Sequence, residues 1–187
     1  MPNVLSHNTG ANVISKQGMD LITHFEGLYL EAYPDPGSGG KPYTIGYGTT
    51  QYPDGRSVKL GDKITEHQAK DYLAHDLRKF SQMVLKKITR PLYQNELDAL
   101  TSFAYNAGTS YKSGSQWKDY NIWAKVNSKT ITPEYWEALA ITASGKKLNG
   151  LVRRRKSEAH LYFTGGLFFY LIKVIRISEY GFFCFGI

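Results

Sequence analysis

Glu26, Asp35 and Thr44 lie close together in the chain and carry side chains suited to a shared chemistry. Two carboxyl groups in unlike states can cleave a glycosidic bond. One, protonated, donates to the departing oxygen. The other, ionised, activates a water or steadies the developing positive charge. Burial favours the protonated form, and a polar setting keeps the partner ionised. Glu26 is flanked by Phe25 and followed at one remove by Leu28, so partial burial would suit the acid. Asp35 stands between Pro34 and Pro36 in a Gly-rich turn, a polar and accessible setting. Thr44 opens the next segment and offers a hydroxyl that could hold a water. Taken singly, each has an ordinary explanation: a solvated helix end, a turn former, a β-branched strand residue. The case rests on their conjunction.

The elements around them follow from pattern. Ser15 is a good N-cap and Gly27 a good stop, so a helix is predicted between them, with Met19, Ile22 and Phe25 recurring on one face. The stretch from Tyr29 to Gly55 is rich in Tyr, Thr, Gly and Pro. It reads as short antiparallel strands with a loop at 36–42 and a turn at Asp54-Gly55. Thr65-Glu66-His67-Gln68 fits a capping box. The apolar positions Ala69, Tyr72, Leu73, Leu77, Phe80 and Val84 extend that helix to about Lys87. Further helices are predicted through Leu97, Leu100 and Phe103, around 117–127, after Thr132-Pro133, and over 151–163. The expected fold class is α+β: a small β-rich lobe and a larger helical lobe joined by a long helix, with a ligand cleft between them. The expected division is a leader at 1–14, one two-lobed domain at 15–166, and an apolar extension at 167–187.

Three spaced motifs carry a resemblance. They are Glu26-Gly27, then Ala32-Tyr33-Pro34-Asp35, then Thr44-Ile45-Gly46-Tyr47-Gly48. Ser102-Phe103-Ala104-Tyr105-Asn106-Ala107-Gly108 and Gly150-Leu151-Val152-Arg153-Arg154-Arg155 follow in order. Over roughly residues 15–165 the sequence resembles the phage-type lysozymes, glycoside hydrolase family 24, and a spaced signature of this kind is more specific than a short motif. The resemblance implies a lysozyme-like fold. It implies cleavage of the β-1,4 bond from N-acetylmuramic acid to N-acetylglucosamine in peptidoglycan, by inversion. Glu26 would be the general acid, Asp35 would activate the water and Thr44 would assist. Thr50 and Tyr105 match positions that line the saccharide cleft, although Tyr105 reads equally as a core aromatic. One of Arg153, Arg154 and Arg155 would approach the acid, with at least two of the three on a solvated face. Neither metal nor organic cofactor is implied. Two departures stand out: the loop from Asp35 to Thr44 is longer than usual, and Thr49 stands where the family often has His.

Composition sets bounds. The chain has 187 residues, 42% of them hydrophobic, enough for a packed core. Its net charge of +7 favours polyanionic partners, the bacterial envelope among them. Its basic residues are scattered apart from 153–156, and no nucleic-acid motif is visible, so no nucleic-acid partner is expected. The five histidines lack metal-ligand spacing, and His24 reads as structural. The single cysteine, Cys184, cannot form an internal disulfide. No apolar run of signal-peptide length opens the sequence. The expectation is a monomer made in the host cytoplasm that reaches the wall after release, through a holin. In the apolar segment 167–187, Lys173, Arg176 and Glu179 argue against a membrane span. Two rival functions fit parts of this pattern. One is a lytic transglycosylase, which needs a single acid. The other is a non-enzymatic cationic protein acting on membranes.

Overall fold

The computed structural model describes residues 4–5, 14–34, 39–143 and 145–165. The leader other than Val4–Leu5 and Ile14, Asp35 and the apolar segment 167–187 lie outside them. In chain order the elements are β1 (Val4–Leu5), α1 (Lys16–Glu26), β2 (Tyr29–Pro34), β3 (Tyr43–Gly46), α2 (Glu66–Lys87) and β4 (Leu92–Tyr93). They continue with α3 (Gln94–Ala107), β5 (Ser110–Ser113), β6 (Gln116–Asp119), α4 (Ile122–Asn127), α5 (Pro133–Glu137), β7 (Thr142–Ala143), β8 (Lys146–Lys147) and α6 (Asn149–Thr164). This is the expected α+β arrangement, with the strands paired as small antiparallel ribbons.

Helix α1 starts where its chemistry dictates. The Ser15 hydroxyl accepts the Gly18 N–H at 3.3 Å, and the Ser15 N–H and hydroxyl both donate to the Asp98 carboxylate on α3. It stops at Gly27, whose φ of 72° lies in the left-handed region that a Cβ disfavours. The chain then turns into β2, which pairs with β3 through Tyr29↔Gly46 and Tyr33↔Thr44, with a register shift between. The 62–64 segment flanks β2: Ala32 N–H donates to Asp62 O, and Ile64 N–H to Leu30 O. Glu31 and Lys63 close that edge with a 2.6 Å ion pair.

Helix α2 spans 22 residues, about 33 Å at 1.5 Å per residue. The capping box forms as expected: Gln68 N–H donates to the Thr65 hydroxyl, and Thr65 N–H donates to the Gln68 side chain. Its first half and its end serve different cores. Ala69, Leu73 and Leu77 pack with Ile14, Ile22 and Tyr47, beneath the β ribbon. Val84 belongs to the larger core of Leu97, Phe103, Trp123, Trp136 and Leu161. One helix therefore carries both lobes.

One expectation fails locally. The helix predicted around 117–127 begins only at Ile122; the residues before it form the β5–β6 hairpin, with Lys112 opposite Trp117. The Tyr111-Lys112-Ser113 and Gln116-Trp117-Lys118 runs alternate too briefly for a period to be read. The ribbon β7–β8 was likewise unforeseen, its strands being two residues each.

Candidate active site

Glu26 is the last residue of α1, and the chain crosses into the β ribbon immediately after it. The acid candidate thus stands at the junction of the lobes, its side chain 22% exposed. Arg154 reaches it from α6: Nη1 donates to Glu26 Oε1 at 2.5 Å. The same guanidinium donates from Nε to Glu158 Oε1 at 3.1 Å and from Nη2 to the Ser102 carbonyl at 3.2 Å. It also lies 5.7 Å from the centre of the Phe25 ring.

Behind Arg154 sits a buried ionic cluster. Glu158 is fully buried and accepts from the Ser102 hydroxyl at 2.8 Å and from the Trp136 indole N–H at 3.2 Å. Arg155, also fully buried, donates to Glu158 Oε2 and to Asn106 Oδ1. Burial pushes the Arg155 guanidinium below its ordinary range, opposed by the charge of Glu158. Two arginines thus face Glu158, and the first of them also reaches Glu26. Burying such charges is tolerable only when each is paired and hydrogen-bonded. Sequence reasoning put at least two of Arg153, Arg154 and Arg155 in solvent. Instead, only Arg153 is exposed, while Arg154 and Arg155 are 3% and 0% exposed. Reading the run as surface charge ignored Glu158, which stands four residues after Arg154 and three after Arg155, the spacing at which helical side chains meet.

Tyr105 on α3 joins the lobes. Its hydroxyl donates to the Tyr47 carbonyl at 2.8 Å. Burial raises its phenol well above the ordinary range, reinforced by the charges of Glu26 and Asp76. The charge of Arg154 acts the other way, and Tyr33 of β2 adds a further raising effect. Gly48 makes the approach possible, because a Cβ there would sit 2.8 Å from the Tyr105 hydroxyl.

Thr44 is half-buried on β3, opposite Tyr33 in the ladder. Thr50 is exposed and contributes its carbonyl to a bond from Val58 N–H at 3.0 Å. Asp35 lies outside the described residues. Thr49, the departure from the usual His, is buried, and its hydroxyl donates to Asp76 on α2 at 3.0 Å. The polar group at that position is therefore satisfied by the linking helix. The structure joins Glu26 and Arg154 directly; Tyr105 bonds the β-lobe backbone at Tyr47, and Thr44 pairs with Tyr33 in the ladder. A separate groove of about 880 Å³ lies on the helical lobe. It is lined by Arg90, Glu96, Ile131, Tyr162 and Phe163 among others, and holds none of the candidate residues. Among the described residues no cluster of His, Cys, Asp and Glu could hold a metal ion.

A two-lobed α+β fold with a half-buried glutamate at the lobe junction is the arrangement of a lysozyme-like protein. The chain belongs to the phage lysozyme family, whose profile matches residues 23–158. It is 31% identical over 150 residues to the endolysin of Acyrthosiphon pisum secondary endosymbiont phage 1, covering 80% of this chain and 97% of that one. It is 37% identical over 152 residues to the endolysin of Bacillus phage PZA, covering 81% of this chain but only 55% of the relative's length. Among solved structures it resembles the endolysin from Escherichia coli O157:H7 phage FAHEc1, at a TM-score of 0.66 and 35% identity, over 88% of this chain and 98% of that one. It also resembles the muramidase domain of SpmX from Asticaccaulis excentricus, at a TM-score of 0.65 and 30% identity, over 81% and 97%.

Proposed function

We propose that the protein is an endolysin muramidase that hydrolyses the β-1,4 bond between N-acetylmuramic acid and N-acetylglucosamine in peptidoglycan. One observation carries this reading: the half-buried Glu26 carboxyl, fixed by Arg154 at the lobe junction of a phage lysozyme family fold. Glu26 gives its proton to the leaving oxygen as the bond to the anomeric carbon breaks. A water adds to that carbon from the opposite face, and Asp35 takes the water's proton. Thr44 holds the water, and Thr50 and Tyr105 contact the saccharide. The half-buried hydroxyl of Thr44 opposite Tyr33 supports its part. The bond from Tyr105 to the β-lobe backbone supports a place at the cleft. Inversion requires carboxyl groups about 6.5–9.5 Å apart, with room for the water.

The proposal extends to biology. The protein acts on the wall after release from the host cytoplasm, through a lesion opened by a separate holin, and works as a monomer comprising a domain at 15–166. The segment 167–187 is a non-spanning extension without a catalytic role. No helix among the described residues is long and apolar enough to cross a membrane. The products discriminate hydrolysis from transglycosylation. Mass spectrometry of digested peptidoglycan is expected to show reducing muramic acid ends. Anhydro ends would instead establish the transglycosylase reading.

A further inference from the structure

We propose that Glu158 is a positioning residue for the reaction, fixing the Arg154 guanidinium so that its Nη1 meets Glu26. The inference rests on the functional reading above. Glu158 cannot reach substrate, being fully buried. It takes donors from three helices: Ser102 Oγ on α3, Trp136 Nε1 on α5, and Arg154 Nε and Arg155 Nη1 on α6. A carboxylate has about four lone-pair sites, so these donors fill it. Ser102 closes a ring, because its hydroxyl donates to Glu158 while its carbonyl accepts from Arg154 Nη2. A guanidinium is planar and rigid, so holding Nε and Nη2 fixes the direction of Nη1. That third nitrogen is the one at 2.5 Å from Glu26.

Glu158 also sets the charge that Glu26 meets. Arg154 and Arg155 contribute two positive charges and Glu158 removes one. The other charged and titratable groups nearby are Tyr105 on α3, on which Asp76 of α2 and Tyr33 of β2 act, and Tyr120 ahead of α4, which acts on Arg155. Ser102, Asn106 and Trp136 complete the surroundings as neutral dipoles. Replacing Glu158 by Gln therefore loosens Arg154 and adds one unit of uncompensated positive charge behind it.

The test is kinetics of full-length wild type, E158Q and E158Q/R155Q on purified peptidoglycan. For E158Q, kcat is expected to fall about tenfold to a hundredfold, as small misplacements of catalytic groups do, with KM nearly unchanged. The alkaline limb of the activity profile moves to lower pH, because added positive charge favours an ionised acid. In the double variant the net charge is restored, so the limb returns to the wild-type pH while kcat stays low. Folded E158Q with wild-type kcat and an unmoved limb would overturn the proposal, as would full recovery of kcat in the double variant. Should E158Q not fold, Ser102→Ala carries the test, since it removes a donor to Glu158 without changing charge. Its kcat is expected to fall about threefold to tenfold, the equivalent of one weakened hydrogen bond. An unchanged kcat there overturns the role. Wild type that releases no reducing ends would instead defeat the functional reading, a result distinct from an active wild type with an indifferent E158Q.

Discussion

Arg154 Nη1 meets Glu26 Oε1 at 2.5 Å although 128 residues separate the two in the chain. The pair ties the end of α1 to the first turns of α6, and both helices pack on α3. Because Arg154 is 4% exposed in its side chain, the bond is made away from bulk water and is weakly screened.

That burial gives the pair a measurable weight. Arg154→Ala strands Glu158 with Arg155 alone and is expected to cost about 3–5 kcal/mol in urea unfolding, as breaking a buried ion pair does. Arg154→Lys keeps the charge but cannot bond Glu26, Glu158 and the Ser102 carbonyl together, and is expected to lower both stability and wall-clearing activity. Arg153→Ala, at an exposed position, serves as the control and should change stability by no more than about 0.5 kcal/mol.

The contact between lobes depends on Gly48. Its φ is 111°, and a Cβ would press on the Tyr105 hydroxyl. Gly48→Ala is therefore expected to lower the Tm and reduce activity together. Tyr105→Phe removes only the bond to Tyr47 O and should cost about 0.5–1.5 kcal/mol. Equal Tm values for wild type and Gly48→Ala in calorimetry would contradict the account of this contact.

Asp98 makes stability depend on pH. Burial pushes its carboxyl above the ordinary 3.8, against the lowering effect of hydrogen bonds from Ser15 and Gln94. The folded state therefore holds this proton more tightly than the unfolded chain. Asp98 contributes most below pH 3.8, and that contribution is lost as pH rises through the folded value. Asp98→Asn keeps a carbonyl for the Ser15 N–H and the Gln94 amide without the buried charge. Its stability relative to wild type should rise across that window, measured by urea unfolding from about pH 3 to 7. A constant difference across that range would contradict the assignment.

Much of this architecture was legible in residue pattern. Ser15, Gly27, Thr65 and Gln68 mark helix ends through local hydrogen bonding, and the structure uses each as expected. The α+β division followed from the shift between tyrosine- and glycine-rich turns and long apolar stripes. The ionic cluster was not legible, because burial of Arg154 and Arg155 is a tertiary outcome of packing α6 on α3 and α5. Only the spacing of Glu158 hinted at it. The β5–β6 hairpin escaped because its strands are four residues each, too short for alternation to stand out. Thr49 stands out in the sequence as a departure, but its partner Asp76 lies 27 residues away on another element.

The central claim is that Glu26 donates the proton that breaks the glycan strand. The direct test is clearing of a purified peptidoglycan suspension, with reducing ends counted, by wild type and Glu26→Gln side by side. Wild type is expected to clear the suspension and release reducing ends, while folded Glu26→Gln loses at least about 100-fold in rate, as loss of a general acid implies. Clearing by Glu26→Gln at the wild-type rate would contradict the account and leave the cationic surface as the agent.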